Sequence, residues 1–224
     1  MKVAIIVPAL NEAACLARTL SALRALDGEM EILVVDGGSA DDTVKIARDM
    51  SVPVVVGPRG RGAQMNYGAS LVISDVLLFV HADTLLPADA YALITDALRD
   101  PGLTGGCFRL GFDKTNAVLR FLAYCTRFRL RFFHYGDQAF FVRAPYFRES
   151  GGYREYPIME DLDFWLRMVR NGKVILLGAP VVSSARRFRR FGFVRQQLRN
   201  VALVMLFILG VSPFTLSRLY RDIR

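Results

Sequence analysis

The segment Leu77-Leu78-Phe79-Val80-His81-Ala82-Asp83-Thr84 carries an apolar run into an imidazole and a carboxylate one residue apart. Asp83 is a hard oxygen ligand of the kind that holds magnesium, with water and phosphate oxygens completing the octahedron. His81 suits manganese better than magnesium, and it could equally donate a hydrogen bond to phosphate without touching metal. Two other apolar runs end in the same way: Val3–Val7 precedes Asn11-Glu12, and Ile32–Val35 precedes Asp36. Asn and Asp are also ordinary turn and cap residues, so each position alone says little. Together they outline a polar rim suited to a nucleotide, whose ribose hydroxyls need acceptors and whose phosphates need cations. Arg59-Gly60-Arg61-Gly62 offers guanidinium groups to such phosphates, with glycines that let the backbone approach closely. Solvated loop arginines are the plain alternative. The spacing matches neither a Walker A loop nor a G-x-G-x-x-G fingerprint, which argues against a P-loop phosphotransferase or a dinucleotide dehydrogenase.

The elements that must position these groups alternate. Val3–Val7, Ile32–Val35, Val54–Val56 and Val76–Val80 read as strands. Between them, Asn11 caps a helix carrying Leu16, Leu20 and Leu23 at helical spacing, Ser39 begins a second with Asp42 three positions on, and Ala63–Ser70 forms a third. Pro87 stands near the start of a helix over Ala88–Arg99. Such alternation specifies an α/β fold, a Rossmann-like, mostly parallel sheet flanked by helices, with ligands outside the carboxyl ends of the strands. Further on, Gly105–Leu110 and Gln138–Arg143 read as strands separated by a basic aromatic segment, Arg120–Phe133. Glu160–Arg170 reads as a helix stopped by Asn171-Gly172 before the strand Val174–Leu177.

A chain of 224 residues makes one generous domain with room for an appendage. The formal charge of +8 favours anionic partners. The hydrophobic share of 53% demands a place to hide apolar surface. Cys15, Cys107 and Cys125 are odd in number and lack C-x-x-C spacing, which fits buried thiols in a reducing, cytoplasmic setting. From Arg186 the composition changes. Arg186, Arg187, Arg189, Arg190, Arg195 and Arg199 precede the apolar run Val201–Val211. As a helix that run is about 16 Å long, against roughly 30 Å of hydrocarbon, too short to span. Residues 186–224 are therefore expected to be a basic, apolar helical extension that lies on a membrane interface or contacts another subunit; a helix packed on the domain is the alternative.

Taken in order, Val7-Pro8-Ala9-Leu10-Asn11-Glu12, Val34-Val35-Asp36-Gly37-Gly38-Ser39-Ala40-Asp41-Asp42-Thr43, Arg59-Gly60-Arg61-Gly62-Ala63-Gln64-Met65-Asn66 and Phe79-Val80-His81-Ala82-Asp83-Thr84 resemble the family 2 glycosyltransferases, with Phe140–Arg143 and Met159-Glu160-Asp161-Leu162-Asp163 continuing the match. The resemblance covers residues 1–185 and is closest to small, single-domain bacterial members. It implies a GT-A fold and a nucleotide-activated sugar donor. It also implies that Pro8, Asn11 and Glu12 line the nucleoside pocket and that Asp36 contacts base or ribose. Arg61 matches a basic position near the diphosphate. Asp83 matches the final acid of an Asp-x-Asp element that holds Mg2+ or Mn2+, with His81 in place of the first acid. Gly38, His81 and Ala82 complete the donor set, and Asp161 matches the general base. Gly37 stands where the family often has a second Asp, which leaves the donor base open.

These positions imply an inverting transferase that passes a sugar to a hydroxyl or phosphate acceptor, small or lipid-linked, by metal-assisted single displacement. Acids at a helix start also cap it and favour its dipole, so Asp161 is read as the base only beside the other motifs, with Glu160 in support. Asp137 and Gln138 sit where acceptor or sugar could be touched, a simple turn being the alternative. Trp165 is offered either to a sugar or to the core, and Leu162, Leu166 and Val169 nearby favour the core. The rival functions are a sugar nucleotidyltransferase, which needs a basic Gly-rich loop absent from residues 8–15, and a basic membrane or nucleic-acid adaptor, which has no use for Asp83 or Asp161. The expected setting is cytoplasmic, peripheral on the inner face of the cell membrane, with no nucleic-acid partner and with a homo-oligomer as an option.

Overall fold

A wholly apolar strand needs cover on both faces, and Val3–Ala9 (β1) has it: every residue is buried near the centre of one sheet. The structure, a computed structural model, describes residues 1–112, 136–183 and 193–220. Parallel to β1 lie Met30–Asp36 (β2) on one side and Val76–Phe79 (β4) on the other, with Val54–Val56 (β3) outside β2. The remaining strands are Thr84–Leu85 (β5), Leu103–Phe112 (β6), Phe140–Arg143 (β7) and Lys173–Ser183 (β8). Their order is β3-β2-β1-β4-β7-β6-β8-β5. The first half of the sheet is parallel as expected; β7 then runs antiparallel to both β4 and β6, while β6 and β8 are parallel to each other.

Alternation along β1 divides the core. Val3, Ile5 and Val7 face one layer with Leu16 and Leu20 of helix α1 (Ala13–Arg24) and Ile94 of α4 (Ala90–Ala97). Ala4 and Ile6 face the other layer, with Met65 of α3 (Arg61–Leu71), Phe147 of α5 (Ala144–Glu149) and Phe164 of α6 (Glu160–Asn171). Each large apolar side chain buried in this way contributes roughly 1.5–3 kcal/mol. Cys107 is buried in the second layer, where burial pushes its thiol well up. Beyond β8 come two helices, α7 (Phe193–Ile208) and α8 (Pro213–Leu219). The boundary at 185 and the segment Arg120–Phe133 lie outside the described residues, as does Cys125.

Two expected helix caps are used elsewhere. The helix after β2 is α2 (Thr43–Asp49), four residues later than Ser39, because the Ser39 hydroxyl is used by Asp36 within the loop. Asn11 does not cap α1. It adopts φ 54°, and its side-chain oxygen accepts from the Ala40 amide at 2.9 Å instead.

Helix α3 sits unusually close to the sheet at Gly68, where an added Cβ would lie 2.6 Å from Ile6 Cγ2 and 2.8 Å from Val35 Cγ2. Gly68→Ala should therefore lower stability by about 1–3 kcal/mol through overpacking, read as a lower urea midpoint with an unchanged slope.

Candidate active site

The parallel register brings Ala9 beside Asp36, so the loops after β1 and β2 start level and face each other. They are stitched together. The Asn11 amide donates to Ser39 Oγ at 2.8 Å, the Glu12 amide to Thr43 Oγ1 at 2.8 Å, and the Ala13 amide to Asp41 Oδ2 at 3.1 Å. Asp36 is fully buried; its Oδ2 accepts from the Gly38 and Ser39 amides, both at 2.9 Å, and its Oδ1 accepts from the Ser39 hydroxyl. Gly38 makes this turn at φ +87°, which favours glycine. Pro8, Asn11, Glu12, Asp36 and Gly38 thus come together at one edge, with Pro8 in β1 and Asn11 exposed.

Sequence reasoning missed Gln64, whose carboxamide nitrogen donates to the Ala9 and Val35 carbonyls at 2.8 and 2.7 Å. It buttons the two strand ends from α3. A Cβ on Gly37 would lie 3.1 Å from this carboxamide, so Gln64 fills the space that a longer side chain at 37 would need. The residue pair Gly37/Gln64 is legible only once α3 is known to lie across β1 and β2.

His81, Ala82 and Asp83 form the turn between β4 and β5, closed by the Thr84 amide donating to the His81 carbonyl at 3.0 Å. Thr19 of α1 donates its hydroxyl to the Ala82 carbonyl at 2.8 Å, fixing the turn from behind. His81 is buried, and its Nδ1 meets Asp137 Oδ1 at 2.7 Å. Asp137 belongs to a short 3-10 turn, Gly136–Gln138, and Gln138 beside it is buried and donates to the Phe108 carbonyl at 3.0 Å. Gln138 thereby anchors the turn that presents Asp137.

Opposite this turn, the N-termini of α3 and α6 converge. Arg61 Nη1 lies 3.5 Å from Glu160 Oε1, with the arginine side chain 22% and the glutamate side chain 5% exposed. Burial pushes the Arg61 guanidinium down, but Glu160, Asp161, Asp137 and Tyr220 more than offset it, so the arginine is held firmly charged. Burial raises Glu160 above the ordinary carboxylate range; Arg61 and His81 oppose the rise and Asp161 adds to it. Asp161 is buried, and its Oδ1 accepts from the Leu162 amide at 2.8 Å, in the first turn of the helix. Met159 precedes the acids at φ 67°, a conformation that costs a non-glycine residue roughly 1–3 kcal/mol.

A second layer of polar contacts supports the acids. Asp163 meets Arg167 at 2.8 Å and Arg154 at 3.2 Å, while Arg167 also donates to the Ser150 and Gly152 carbonyls at 3.0 and 2.5 Å. The loop entering α6 is therefore tied to α6 itself. Trp165 is 4% exposed and stacks on Phe140 at 5.4 Å, which makes it a core residue rather than a sugar platform.

A sequence profile described as Glycosyl transferase family 2 matches residues 4–160, most of the chain and every position just placed except Asp161 and the residues beyond it. The chain belongs to this family. This family 2 glycosyltransferase is 31% identical over 182 residues to an uncharacterized glycosyltransferase of Mycobacterium tuberculosis, covering 74% of this chain and 68% of the relative. Its structure resembles S. aureus TarS 1–349 in complex with UDP-GlcNAc (TM-score 0.66, 19% identity, 82% of this chain) and spans 58% of that TarS chain. It also resembles a mannosyltransferase from Pyrobaculum calidifontis in complex with GDP-Man and Mn2+, with TM-score 0.68 and 18% identity, covering 95% of this chain and 66% of that one. The fold is therefore the GT-A arrangement expected from the motifs. Family membership also replaces the nucleotidyltransferase and adaptor alternatives with a transferase.

The buried glutamate makes stability depend on pH. A carboxyl whose folded value lies above its unfolded value favours the fold while protonated. That contribution is fully present below the ordinary carboxylate range and is lost as pH rises through the folded Glu160 value. Urea unfolding from about pH 4 to about pH 7.5 should therefore show the wild type losing stability relative to Glu160→Gln as pH rises.

Proposed function

We propose that this glycosyltransferase moves a sugar from a nucleoside-diphosphate donor to a hydroxyl of an amphipathic or lipid-linked acceptor, inverting the anomeric carbon in one displacement. The observation that carries the reading is the cluster at the sheet's carboxyl edge, where Arg61 meets buried Glu160 with buried Asp161 and His81 and half-exposed Asp137 in the same field. It pairs a permanent cation with carboxylates, as a reaction that expels a diphosphate and removes a proton requires.

In this reading Pro8, Asn11, Glu12, Asp36 and Gly38 hold the nucleoside, and the Gly38 and Ser39 amides that donate to Asp36 fix the orientation of its carboxylate. Arg61 faces the diphosphate and stabilises the charge it gains on leaving. Asp161 takes the proton from the acceptor hydroxyl as its oxygen bonds to the anomeric carbon, while the bond from that carbon to the diphosphate oxygen breaks on the opposite side. Glu160 holds Arg61 in place, and Asp137 orients His81 through Nδ1.

Among the described residues no group of three His, Cys, Asp or Glu side chains could hold a metal by itself. A divalent cation fits this site if it arrives with the donor, because one carboxylate, phosphate oxygens and water make an ordinary magnesium or manganese shell. Asp83 would hold it, with the His81–Ala82 turn beside it. When bound, the ion supplies Lewis-acid neutralisation of the leaving diphosphate.

Asp161→Asn should lower turnover by about 10²–10⁴-fold while donor affinity, measured by calorimetry, stays unchanged. Asp83→Ala should abolish the metal dependence of donor binding. Wild-type turnover in both variants would refute this mechanism.

A further inference from the structure

Charge is very unevenly distributed along this chain. Of its 29 Lys and Arg and 21 Asp and Glu, nine Arg and one Asp, Asp222, fall after residue 183. The preceding sequence carries twenty of each sign, so the entire formal excess of +8 resides in the C-terminal extension. A folded catalytic domain that is neutral overall therefore carries a strongly cationic appendage.

Helix α7 is apolar on the wrong side for a simple packing role. Leu198, Val201, Met205 and Ile208 are 67, 41, 56 and 40% exposed and recur at spacings that place them on one stripe of the helix. Leu209 continues the stripe at 77%, and Phe214 and Leu219 of α8 add 57 and 59%. The opposite side is the buried one: Leu203, Val204, Pro213 and Leu216 face inward. No helix among the described residues is long and apolar enough to cross a membrane.

The same pair of helices also borders the loop before the acidic cluster. Phe214 meets Tyr156, in the loop leading to Glu160-Asp161, edge-on at 6.3 Å. Arg199 donates to the Leu219 carbonyl at 2.8 Å and lies 4.9 Å from the centre of the Tyr220 ring, which brings α8 back along α7. Tyr220 in turn sits within electrostatic reach of Arg61.

We infer that α7 and α8 form a docking face for an anionic bilayer, with the exposed aliphatic stripe entering the acyl boundary and the arginines that the extension carries in sequence supplying the attraction to lipid phosphate. Charge complementarity selects this occupant. An aliphatic stripe contributes nothing to a nucleic-acid backbone contact, which draws on cations and aromatic stacking. At the interface, each basic residue and each buried methylene adds to partitioning. Because the same helices border the loop before Asp161, docking also presents the catalytic edge to the lipid surface. That second consequence rests on the proposed function; the docking itself does not.

The full-length protein should float with vesicles of phosphatidylcholine containing a quarter phosphatidylglycerol, and at least roughly tenfold less with pure phosphatidylcholine. Met205→Gln combined with Leu209→Gln should lower partitioning into anionic vesicles by roughly tenfold or more, with an unchanged thermal midpoint. Leu209→Trp gives a second reading that does not depend on losing a contact: its fluorescence should be quenched by brominated acyl chains, whereas buried Trp165 alone should not. Equal flotation of the double variant and wild type, or an unquenched Leu209→Trp, overturns the proposal. So does a wild-type dimer that the double variant dissociates and that leaves vesicles unbound. None of these readings requires turnover, so they fail or succeed independently of the proposed reaction.

Discussion

Arg61 is a cation taken largely out of water, with only 22% of its side chain exposed, and that constraint organises the site. A buried guanidinium without carboxylate partners would cost several kcal/mol. The chain meets this demand by bringing the N-terminus of α6 against the N-terminus of α3, so that Glu160 meets Arg61 directly and Asp161 and Asp137 add to the field. Two positive helix ends point into one place there, and the acids of α6 also offset that dipole field. The compensation is incomplete for Glu160, whose own burial raises its proton affinity despite the neighbouring arginine. A small displacement of either helix would leave one member of this cluster buried and unpaired.

The strands set the distances over which that cluster can work. Ala9 and Asp36 end level because β1 and β2 pair in parallel register, and Gln64 ties both ends to α3, the helix that begins with Arg61. On the other side of β1, the His81 turn is held by Thr19 from α1 and by Asp137 from the turn before β7. Antiparallel β7 therefore matters chemically as well as topologically: it delivers Asp137 to the carboxyl edge of a parallel half-sheet. The loops after β1 and β2, the His81 turn and the start of α6 are each anchored to a different element of one core.

The C-terminal helices obey a different rule. Their inner side is held by Leu203, Val204 and Leu216, while their outer side keeps an aliphatic stripe in contact with solvent. Exposed aliphatic residues occur on the sheet domain too, at Val56, Leu71 and Ile73, but on α7 they line one stripe of a single helix, which marks a surface rather than scattered exposure.

Much of this was legible in the residues. Apolar runs with period two or no period gave the strands, helical spacing gave Leu16, Leu20 and Leu23 their buried face, and motif order gave the family. Local polar chemistry was less legible: Asn11 and Ser39 look like helix caps in sequence, yet each is spent on the facing loop, because a cap and a cross-loop bond use the same short side chain. Gln64, the Asp137 partner of His81, and the approach of Tyr220 to Arg61 join residues 55, 56 and far more positions apart, as the spacings Ala9–Gln64 and His81–Asp137 illustrate. Sequence by itself determined which residue types were available, their periodicity and the sign of the tail's charge, since these are local properties of the chain. Tertiary structure alone decided which acids surround Arg61, what fills the space beside Gly37 and which side of α7 stays exposed, because burial and pairing arise only when distant segments close on one another.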